Sequence, residues 1–408
     1  MDWNIDLKQM LATTAPLIQR GELMQATQAI QRALGARTAS GPNPSAAAAG
    51  DAGPAVAPAP THRAWHAGPG RQAAEPDVQD VEVIDRAAPG ARSAAPGATQ
   101  ASDAQAPGSF QRIAFSAPAG APQDHYWLYV PSAATSAAAQ PLPLVLMLHG
   151  CTQHPQDFAT GTAMNGVAET ANALVLYPAQ AQSANPKGCW NWFRPEDQLR
   201  GAGEPATLVA MVRDVMRRHP VDERRVYVAG LSAGGAMAAL LAREYPEVFA
   251  AVGVHSGLQP GAARNVMGAL SAMKNGAKLP PAPAVPRRAG EALPAVIIFH
   301  GDADRTVDAR NAQQLAQAAL AARGQAAGET SRQVLNGQSA GGQRYTRTLY
   351  AADAAQPAGS GTLVEQWMLH GAGHAWAGGD ARGSHTDPRG VNASQEMLRF
   401  FMEHPRRR

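Results

Sequence analysis

The chain has 408 residues, of which 45% are hydrophobic and 16% charged, enough apolar material for one sizeable core or two smaller ones. Its formal net charge is only +3, which argues against a strongly basic nucleic-acid-binding protein and against an acidic solvating chain. The two cysteines exclude a disulfide-dense scaffold and a four-cysteine zinc site.

The chain shows no targeting or membrane-spanning pattern. No apolar run reaches the roughly 18 residues that a membrane span needs, so no transmembrane segment is predicted. The first six residues, Met1 to Asp6, lack a basic region followed by an apolar one, so no standard Sec signal peptide is recognised. Retention in the cytoplasm and export by another route both remain open.

The first 107 residues divide into two segments of different composition. In residues 1–34 apolar side chains recur at intervals of three, four and seven, which predicts one or two amphipathic helices that dock on another surface or mediate oligomerisation. In residues 35–107 alanine, proline and glycine dominate and bulky apolar residues are scarce. Such a stretch cannot bury enough surface to offset its ordering entropy, so we expect a disordered linker.

A folded α/β domain is predicted over residues 108–404. Short apolar runs, several of them β-branched and bounded by glycine or proline, alternate in its later part with helical stretches. This alternation is typical of a mostly parallel central sheet with helices on both faces. The Pro- and Gly-rich stretch 259–294 is expected to form a loop or a small cap over the site.

The strongest chemical signal is the sequence Gly-Leu-Ser-Ala-Gly at residues 230–234, between a predicted strand and a predicted helix. A strand-to-helix turn of this kind exposes the serine hydroxyl as a nucleophile, and the two glycines give the chain room to turn. Ser232 is therefore the candidate nucleophile. The amide of Ala233 opens the helix, where it can stabilise a developing oxyanion.

A second oxyanion donor is expected from the loop after an earlier strand. Gly150 and Cys151 follow the apolar run Leu144–Leu148, which makes the Cys151 amide the candidate. A simple tight turn is the alternative interpretation of this pair.

The acid and the base are expected to follow the nucleophile in that order. Asp302 and Asp304 both follow an apolar run. We favour Asp304 as the acid and interpret Asp302 as a residue that shapes the turn. His374 lies in a glycine-rich loop after the run Val364–Leu369 and is the candidate base, ahead of His370 and His385.

Five motifs together resemble the polyhydroxybutyrate depolymerase family of esterases, which neighbours feruloyl and acetylxylan esterases. The resemblance covers residues from about 110 to 404 and does not extend to residues 1–107. The motifs are His149–Gln153, Gly188–Phe193, Gly230–Gly235, His255–Gly257 and Gly373–Trp376.

The resemblance implies an α/β-hydrolase fold and a serine esterase without a cofactor. It implies Ser232 as nucleophile, Asp304 as acid and His374 as base, with the oxyanion held by the amides of Cys151 and Ala233. Its secreted, polymer-degrading members carry a signal peptide and a separate polymer-binding domain, neither of which is recognised in this sequence. We therefore expect short hydroxyalkanoate esters or soluble oligomers as substrates, with no nucleic-acid partner.

The motif loops also contain Trp190, Trp192 and Trp376, whose flat rings are candidates for lining an acyl or aryl pocket. Packing in the core or in the loops is the alternative for all three. Cys151 and Cys189 are candidates for a disulfide between two loops of the site, while a reducing compartment would keep them as thiols. No metal-binding cluster is recognised.

Two other functions stay open from the sequence. Within the same class, the chain is a feruloyl or acetylxylan esterase. In a different class, it is a non-catalytic binding protein on a hydrolase fold, because a fold does not by itself determine an activity. A complete set of nucleophile, acid, base and oxyanion donors favours an enzyme, since a pure binding protein does not need to keep it.

Overall fold

The computed structural model describes residues 79–80, 107–117, 121–135, 140–278, 293–324, 331–351 and 362–406. All of them belong to the compact unit Val78–Arg408. The predicted amphipathic segment, residues 1–34, lies outside the described residues, as does nearly all of the predicted linker. Among the described residues, no helix is long and apolar enough to cross a membrane.

Within these ranges the chain forms thirteen strands: β1 Gln79–Asp80, β2 Ser109–Ala114, β3 His125–Val130, β4 Leu142–Leu148, β5 Leu174–Pro178, β6 Val221–Leu231, β7 Ala251–His255, β8 Ala295–Gly301, β9 Ser331–Gln338, β10 Arg344–Ala351, β11 Thr362–Leu369, β12 Trp376–Ala377 and β13 Thr386–Asp387.

The same ranges form seven α-helices: α1 Pro155–Thr162, α2 Met164–Ala171, α3 Gly203–Arg218, α4 Ala233–Glu244, α5 Val266–Asn275, α6 Arg310–Ala321 and α7 Ala393–Glu403. Two short 3₁₀ helices, Ser132–Thr135 and Pro195–Gln198, complete the regular structure.

Eleven of the strands form one sheet in the order β1-β9-β10-β11-β8-β7-β6-β4-β5-β3-β2. Its central part, from β5 through β4, β6, β7 and β8 to β11, is parallel. On one side β2 pairs antiparallel with β3 and β3 with β5, and on the other side β10 pairs antiparallel with both β9 and β11, while the two-residue β1 pairs parallel with β9. The mostly parallel sheet predicted from the sequence is confirmed.

Both faces of the central sheet are buried, which explains why β4 and β5 are apolar at every position. In β4, Leu144 and Leu146 belong to one core cluster, whereas Val145 and Met147 belong to the cluster on the opposite face. Residues of α3, α4, α5 and α6 pack into the first cluster, and residues of α1, α2 and α7 pack into the second. The helices therefore cover both faces, as predicted.

Candidate active site

Ser232 lies at the turn between β6 and α4. Its backbone has φ 59° and ψ −119°, a conformation that is costly for a non-glycine residue and persists only where the surrounding structure enforces it. Its amide donates a hydrogen bond of 2.8 Å to the carbonyl oxygen of His255, the last residue of the adjacent β7. The sheet thus holds the strained serine at the carboxyl end of its central strands.

Two glycines make the turn sterically possible. A Cβ atom on Gly230 would overlap the backbone of Gly234, and a Cβ atom on Gly234 would overlap the carbonyl oxygen of Leu148 at the end of β4. The start of α4 therefore packs directly against the loop that follows β4. Both glycines are needed for this close approach of backbone segments.

Asp304 and His374 form a buried pair. The Asp304 Oδ2 atom lies 2.6 Å from His374 Nδ1, and the exposed fractions of the two side chains are 0% and 13%. The other oxygen, Oδ1, accepts hydrogen bonds of 2.8 Å from the amides of Thr306 and Val307. Burial raises the pKa of Asp304, but the hydrogen bond and charge of His374, together with these amides, lower it more, and the net shift is downward.

Asp302, the alternative acid, pairs with a different histidine. Its Oδ2 atom lies 2.8 Å from His370 Nδ1, and its Oδ1 atom accepts a hydrogen bond from the Gly371 amide. The Nε2 atom of His370 lies 2.9 Å from the Thr346 hydroxyl. Both side chains of this pair are more than a third exposed, so the two acids belong to two separate carboxylate–histidine pairs.

Ser232 and His374 lie at the same edge of the sheet, and His255 contacts the segments that carry both of them. The ring of His255 accepts a hydrogen bond of 3.1 Å from the Ala377 amide and stacks on the indole of Trp376, just after His374 in the chain. Among the described residues, no hydrogen bond joins the Ser232 hydroxyl to an imidazole.

The imidazole of His255 is fully buried, and this burial lowers its pKa to about 3, so the ring is a neutral acceptor. His255 belongs to one of the five sequence motifs, but no role for it was predicted. The apolar context of the strand that ends at His255 was the available signal.

The loop after β4 lies beside the nucleophile. A Cβ atom built on Gly150 would lie 3.6 Å from the Cβ atom of Ser232. The Cys151 amide, which is the next one in the chain, therefore lies close to the nucleophile. Among the described residues, neither this amide nor that of Ala233 donates a hydrogen bond to another backbone group. Both N–H groups are therefore available to an oxyanion.

A disulfide joins Cys151 to Cys189, with 4.2 Å between the Cα atoms. It fastens the loop after β4 to the loop that precedes the second 3₁₀ helix. The Thr152 amide adds a hydrogen bond of 2.7 Å to the Lys187 carbonyl oxygen. Residues 187–189 thus hold Cys151 in position.

The three tryptophans lie near the site but are enclosed. Trp190 and Trp376 are 0% and 1% exposed, and Trp192 is 5% exposed. The ring of Trp190 packs near His149, that of Trp192 against Phe193, and that of Trp376 against His255. Such burial is typical of packing, the alternative that the sequence left open.

In the described part of the chain, no three His, Cys, Asp or Glu side chains come together as a potential metal site.

The architecture defines the fold class. A parallel sheet with helices on both faces, and a serine at a sharp turn after a central strand, is the α/β-hydrolase fold. The structure is similar to that of an acetyl xylan esterase from Aspergillus awamori, with a TM-score of 0.54 at 18% identity, over 72% of this chain and 100% of that one.

The family follows from the sequence match. The family model described as esterase PHB depolymerase matches residues 124–338, more than half of the chain, and the chain belongs to this family. The matched range contains Cys151, Ser232 and Asp304, whereas His374 lies beyond its end. The predicted family and fold are both confirmed.

Two curated relatives show the range of esterases to which the chain is similar. It is 36% identical over 175 residues to the poly(3-hydroxyalkanoate) depolymerase C of Paucimonas lemoignei, covering 41% of this chain and 42% of that protein. It is 34% identical over 122 residues to the feruloyl esterase B of Thermothelomyces thermophilus, covering 30% and 41%. The chain therefore spans less than half the length of these relatives.

Proposed function

We propose that this protein is a serine esterase in which Ser232 is the nucleophile, His374 the general base and Asp304 the residue that orients the base. The observation that carries the proposal is the buried Asp304–His374 pair, with its contact of 2.6 Å, at the same sheet edge as the strained Ser232 turn. Asp304 remains a carboxylate that accepts from Nδ1, so Nε2 of the neutral ring carries the lone pair that a base needs.

The reaction proceeds in two steps through an acyl-enzyme. His374 Nε2 takes the proton from the Ser232 hydroxyl while Oγ bonds to the ester carbonyl carbon, and the amides of Cys151 and Ala233 bind the resulting oxyanion. The oxyanion then collapses, the bond to the alcohol oxygen breaks, and His374 protonates the departing alcohol. In the second step water replaces the alcohol, the ester bond to Ser232 breaks, and the carboxylic acid leaves.

The proposed roles require contact between the Ser232 hydroxyl and His374 when substrate is bound. Catalytic hydrogen bonds are often long or absent without substrate and tighten in the Michaelis complex. The strained turn and the shared support from His255 keep the two loops together for that step.

As substrates we propose short hydroxyalkanoate esters and their oligomers, on the strength of the family and of the similarity to a poly(3-hydroxyalkanoate) depolymerase. Feruloyl or acetyl esters of sugars are the second candidate class, favoured by the similarity to a feruloyl esterase B and to probable acetylxylan esterases. The two classes differ in the acyl group that the enzyme must accept.

A panel of 3-hydroxybutyrate oligomers, methyl ferulate, acetylated xylan and p-nitrophenyl butyrate tests the activity and the substrate class together. We expect turnover of p-nitrophenyl butyrate and of the oligomers by the wild type, and none by Ser232→Ala. Turnover by a folded Ser232→Ala variant at the wild-type rate rejects the mechanism. Turnover of methyl ferulate in preference to the oligomers assigns the second class.

A further inference from the structure

The side chain of Gln153 holds the loop after β4 through hydrogen bonds, in addition to the disulfide. Its side-chain oxygen accepts a hydrogen bond of 2.9 Å from the Gly150 amide, and its side-chain nitrogen donates to Asp157 Oδ2 at 3.1 Å and to the Ser384 carbonyl oxygen at 3.0 Å. Gln153 is only 6% exposed. Its carboxamide is therefore bonded at both ends in a buried position.

The surrounding groups allow one orientation of this carboxamide. The Gly150 amide can only donate, whereas the Ser384 carbonyl oxygen and an ionised Asp157 can only accept. A flipped Gln153 would oppose donor to donor and acceptor to acceptor. Asp157 also accepts hydrogen bonds from the Ser384 amide at 2.9 Å and from its hydroxyl at 2.6 Å, which fixes the carboxylate in turn.

Asp157 is suited to this role because it keeps its charge. Burial raises its pKa, but the hydrogen bonds from Ser384 and Gln153 lower it more, so that the net shift is downward. An ionised carboxylate needs donors around it, and the Gln153 nitrogen is one of them. This requirement keeps the Gln153 oxygen directed towards Gly150.

The hydrogen bonds of Gln153 affect the oxyanion site through the peptide unit that joins Gly150 to Cys151. A Cβ atom built on Gly150 would lie 3.1 Å from Gln153 Oε1 and 3.6 Å from the Ser232 Cβ atom. The Gly150 carbonyl oxygen accepts from the Gln153 amide at 3.4 Å and also lies 2.9 Å from His149 Nδ1, so Gln153 contacts both polar backbone groups of Gly150 and shares the carbonyl with His149. Fixing Gly150 on both sides fixes the direction in which the next amide, that of Cys151, points.

We propose that Gln153 is a positioning residue for the oxyanion hole, with Asp157 and Ser384 holding its carboxamide so that the Cys151 amide faces the reacting carbonyl. The proposal rests on the proposed function, because it assumes that Cys151 binds the oxyanion. It assigns a role to the last residue of the His149–Gln153 motif. It also links the loop after β4 to the segment that follows the candidate base.

The experiment compares Gln153→Leu, Gln153→Glu, Asp157→Asn and the double variant Gln153→Glu with Asp157→Asn. A matched control is Gln313→Leu, at an exposed position of α6. For each variant, kcat and KM are measured with p-nitrophenyl butyrate. The inhibition constant of 1-butaneboronic acid is measured as well, because its serine adduct places an oxygen in the oxyanion hole.

We expect Gln153→Leu to lower kcat by about 10- to 100-fold with little change in KM, less than the loss of a whole donor, since the Cys151 amide is displaced rather than removed. The inhibition constant should rise by the same factor. Gln153→Glu should lose activity through repulsion from Asp157. Adding Asp157→Asn should recover about tenfold, because the asparagine NH₂ group then donates to the new carboxylate in place of the repulsion between two charges, while the Ser384 carbonyl oxygen still lacks its donor.

A folded Gln153→Leu variant with wild-type kcat and inhibition constant overturns the proposal, as does a loss of kcat without weaker boronate binding. If Gln153→Leu does not fold, the charge-exchange pair decides: a folded double variant no more active than Gln153→Glu overturns it. The variant Ser232→Ala distinguishes a failure of this inference from a failure of the proposed function. An inactive Ser232→Ala with normal Gln153 variants rejects only this inference, whereas an active Ser232→Ala rejects the proposed function, and the inference with it.

Discussion

The substitution Asp304→Asn tests how the buried acid controls the base. The two backbone donors, Thr306 and Val307, lie 2.8 Å from Asp304 Oδ1, so the amide oxygen of an asparagine would keep this position. Its NH₂ group would then face His374 Nδ1, now 2.6 Å from the carboxylate, and the ring would have to accept there. The imidazole proton would move to Nε2, the nitrogen that must take the Ser232 proton.

We expect kcat/KM for p-nitrophenyl butyrate to fall by about 10⁴-fold, which corresponds to about 5.5 kcal/mol of transition-state stabilisation. The matched control is Asp302→Asn, which changes an exposed carboxylate–histidine contact worth about 1 kcal/mol or less and should cost at most a few-fold. Circular dichroism verifies that both variants fold. Equal losses in the two variants, or a nearly active Asp304→Asn, would refute the assignment of the acid.

Three further predictions concern stability and the geometry of the site. Gly234→Ala should abolish activity or folding, because its Cβ atom overlaps backbone, whereas Gly166→Ala, in a helix with open space around it, should raise stability by up to about 1 kcal/mol. Replacing both Cys151 and Cys189 by serine should lower the free energy of unfolding by about 4 kcal/mol, given their separation of 38 residues, and lower kcat as well. The contribution of His255 to the free energy of unfolding should fall as the pH falls from about 6.5 towards 3, because below pH 6.5 the unfolded chain binds a proton at His255 that the folded chain excludes, with a slope of up to about 1.4 kcal/mol per pH unit from this group alone.

Urea titrations and p-nitrophenyl butyrate kinetics check all three. An active Gly234→Ala variant would contradict the close packing of the turn, and a double cysteine variant as stable as the wild type would contradict the linkage through the disulfide. For the pH dependence, the comparison runs between about pH 7.5 and about pH 5, above the range in which most carboxylates titrate. Because the buried Glu204 carboxyl, whose pKa burial raises to about 7, acts in the opposite sense, the wild type is compared with His255→Gln. An equal change of the urea midpoint with pH in the two proteins would contradict the buried neutral histidine.

The parallel core could be predicted because strands that are buried on both faces appear in the sequence as continuous apolar runs. The runs at Leu144–Leu148 and Val364–Leu369 correspond closely to β4 and β11. The hairpin of β9 and β10 was missed because its strands are largely polar and partly exposed, and such strands carry no apolar run. The adjacent helices α1 and α2 were missed because they are short, with a left-handed residue, Ala163, between them.

The placement of Ser232, Asp304 and His374 at one edge of the sheet could also be predicted, since each residue follows an apolar run that ends at this edge, and their catalytic roles stay predictions. What the spacing could not distinguish was which carboxylate pairs with which histidine. Asp302 and Asp304 are two residues apart, yet one meets His370 at the surface and the other meets His374 in the interior. That difference depends on how the loops after β8 and β11 pack, which is a tertiary property.

The exposure of side chains in the motif loops could not be predicted from the sequence either. The indoles of Trp190 and Trp376 are as apolar in a pocket wall as in a core, and only packing decides between the two. The role that we propose for Gln153 could not be recognised from the sequence either, because its partner Ser384 lies 231 residues away in the chain.

The most direct test of the account is to identify the side chain that a fluorophosphonate probe modifies. We predict a single adduct in the folded wild-type protein, located on Ser232 by peptide mass spectrometry, together with loss of p-nitrophenyl butyrate turnover in proportion to labelling. In Ser232→Ala the adduct should be absent. An adduct on a different residue that accompanies the loss of activity, or full activity in a protein completely labelled at Ser232, would contradict the central claim.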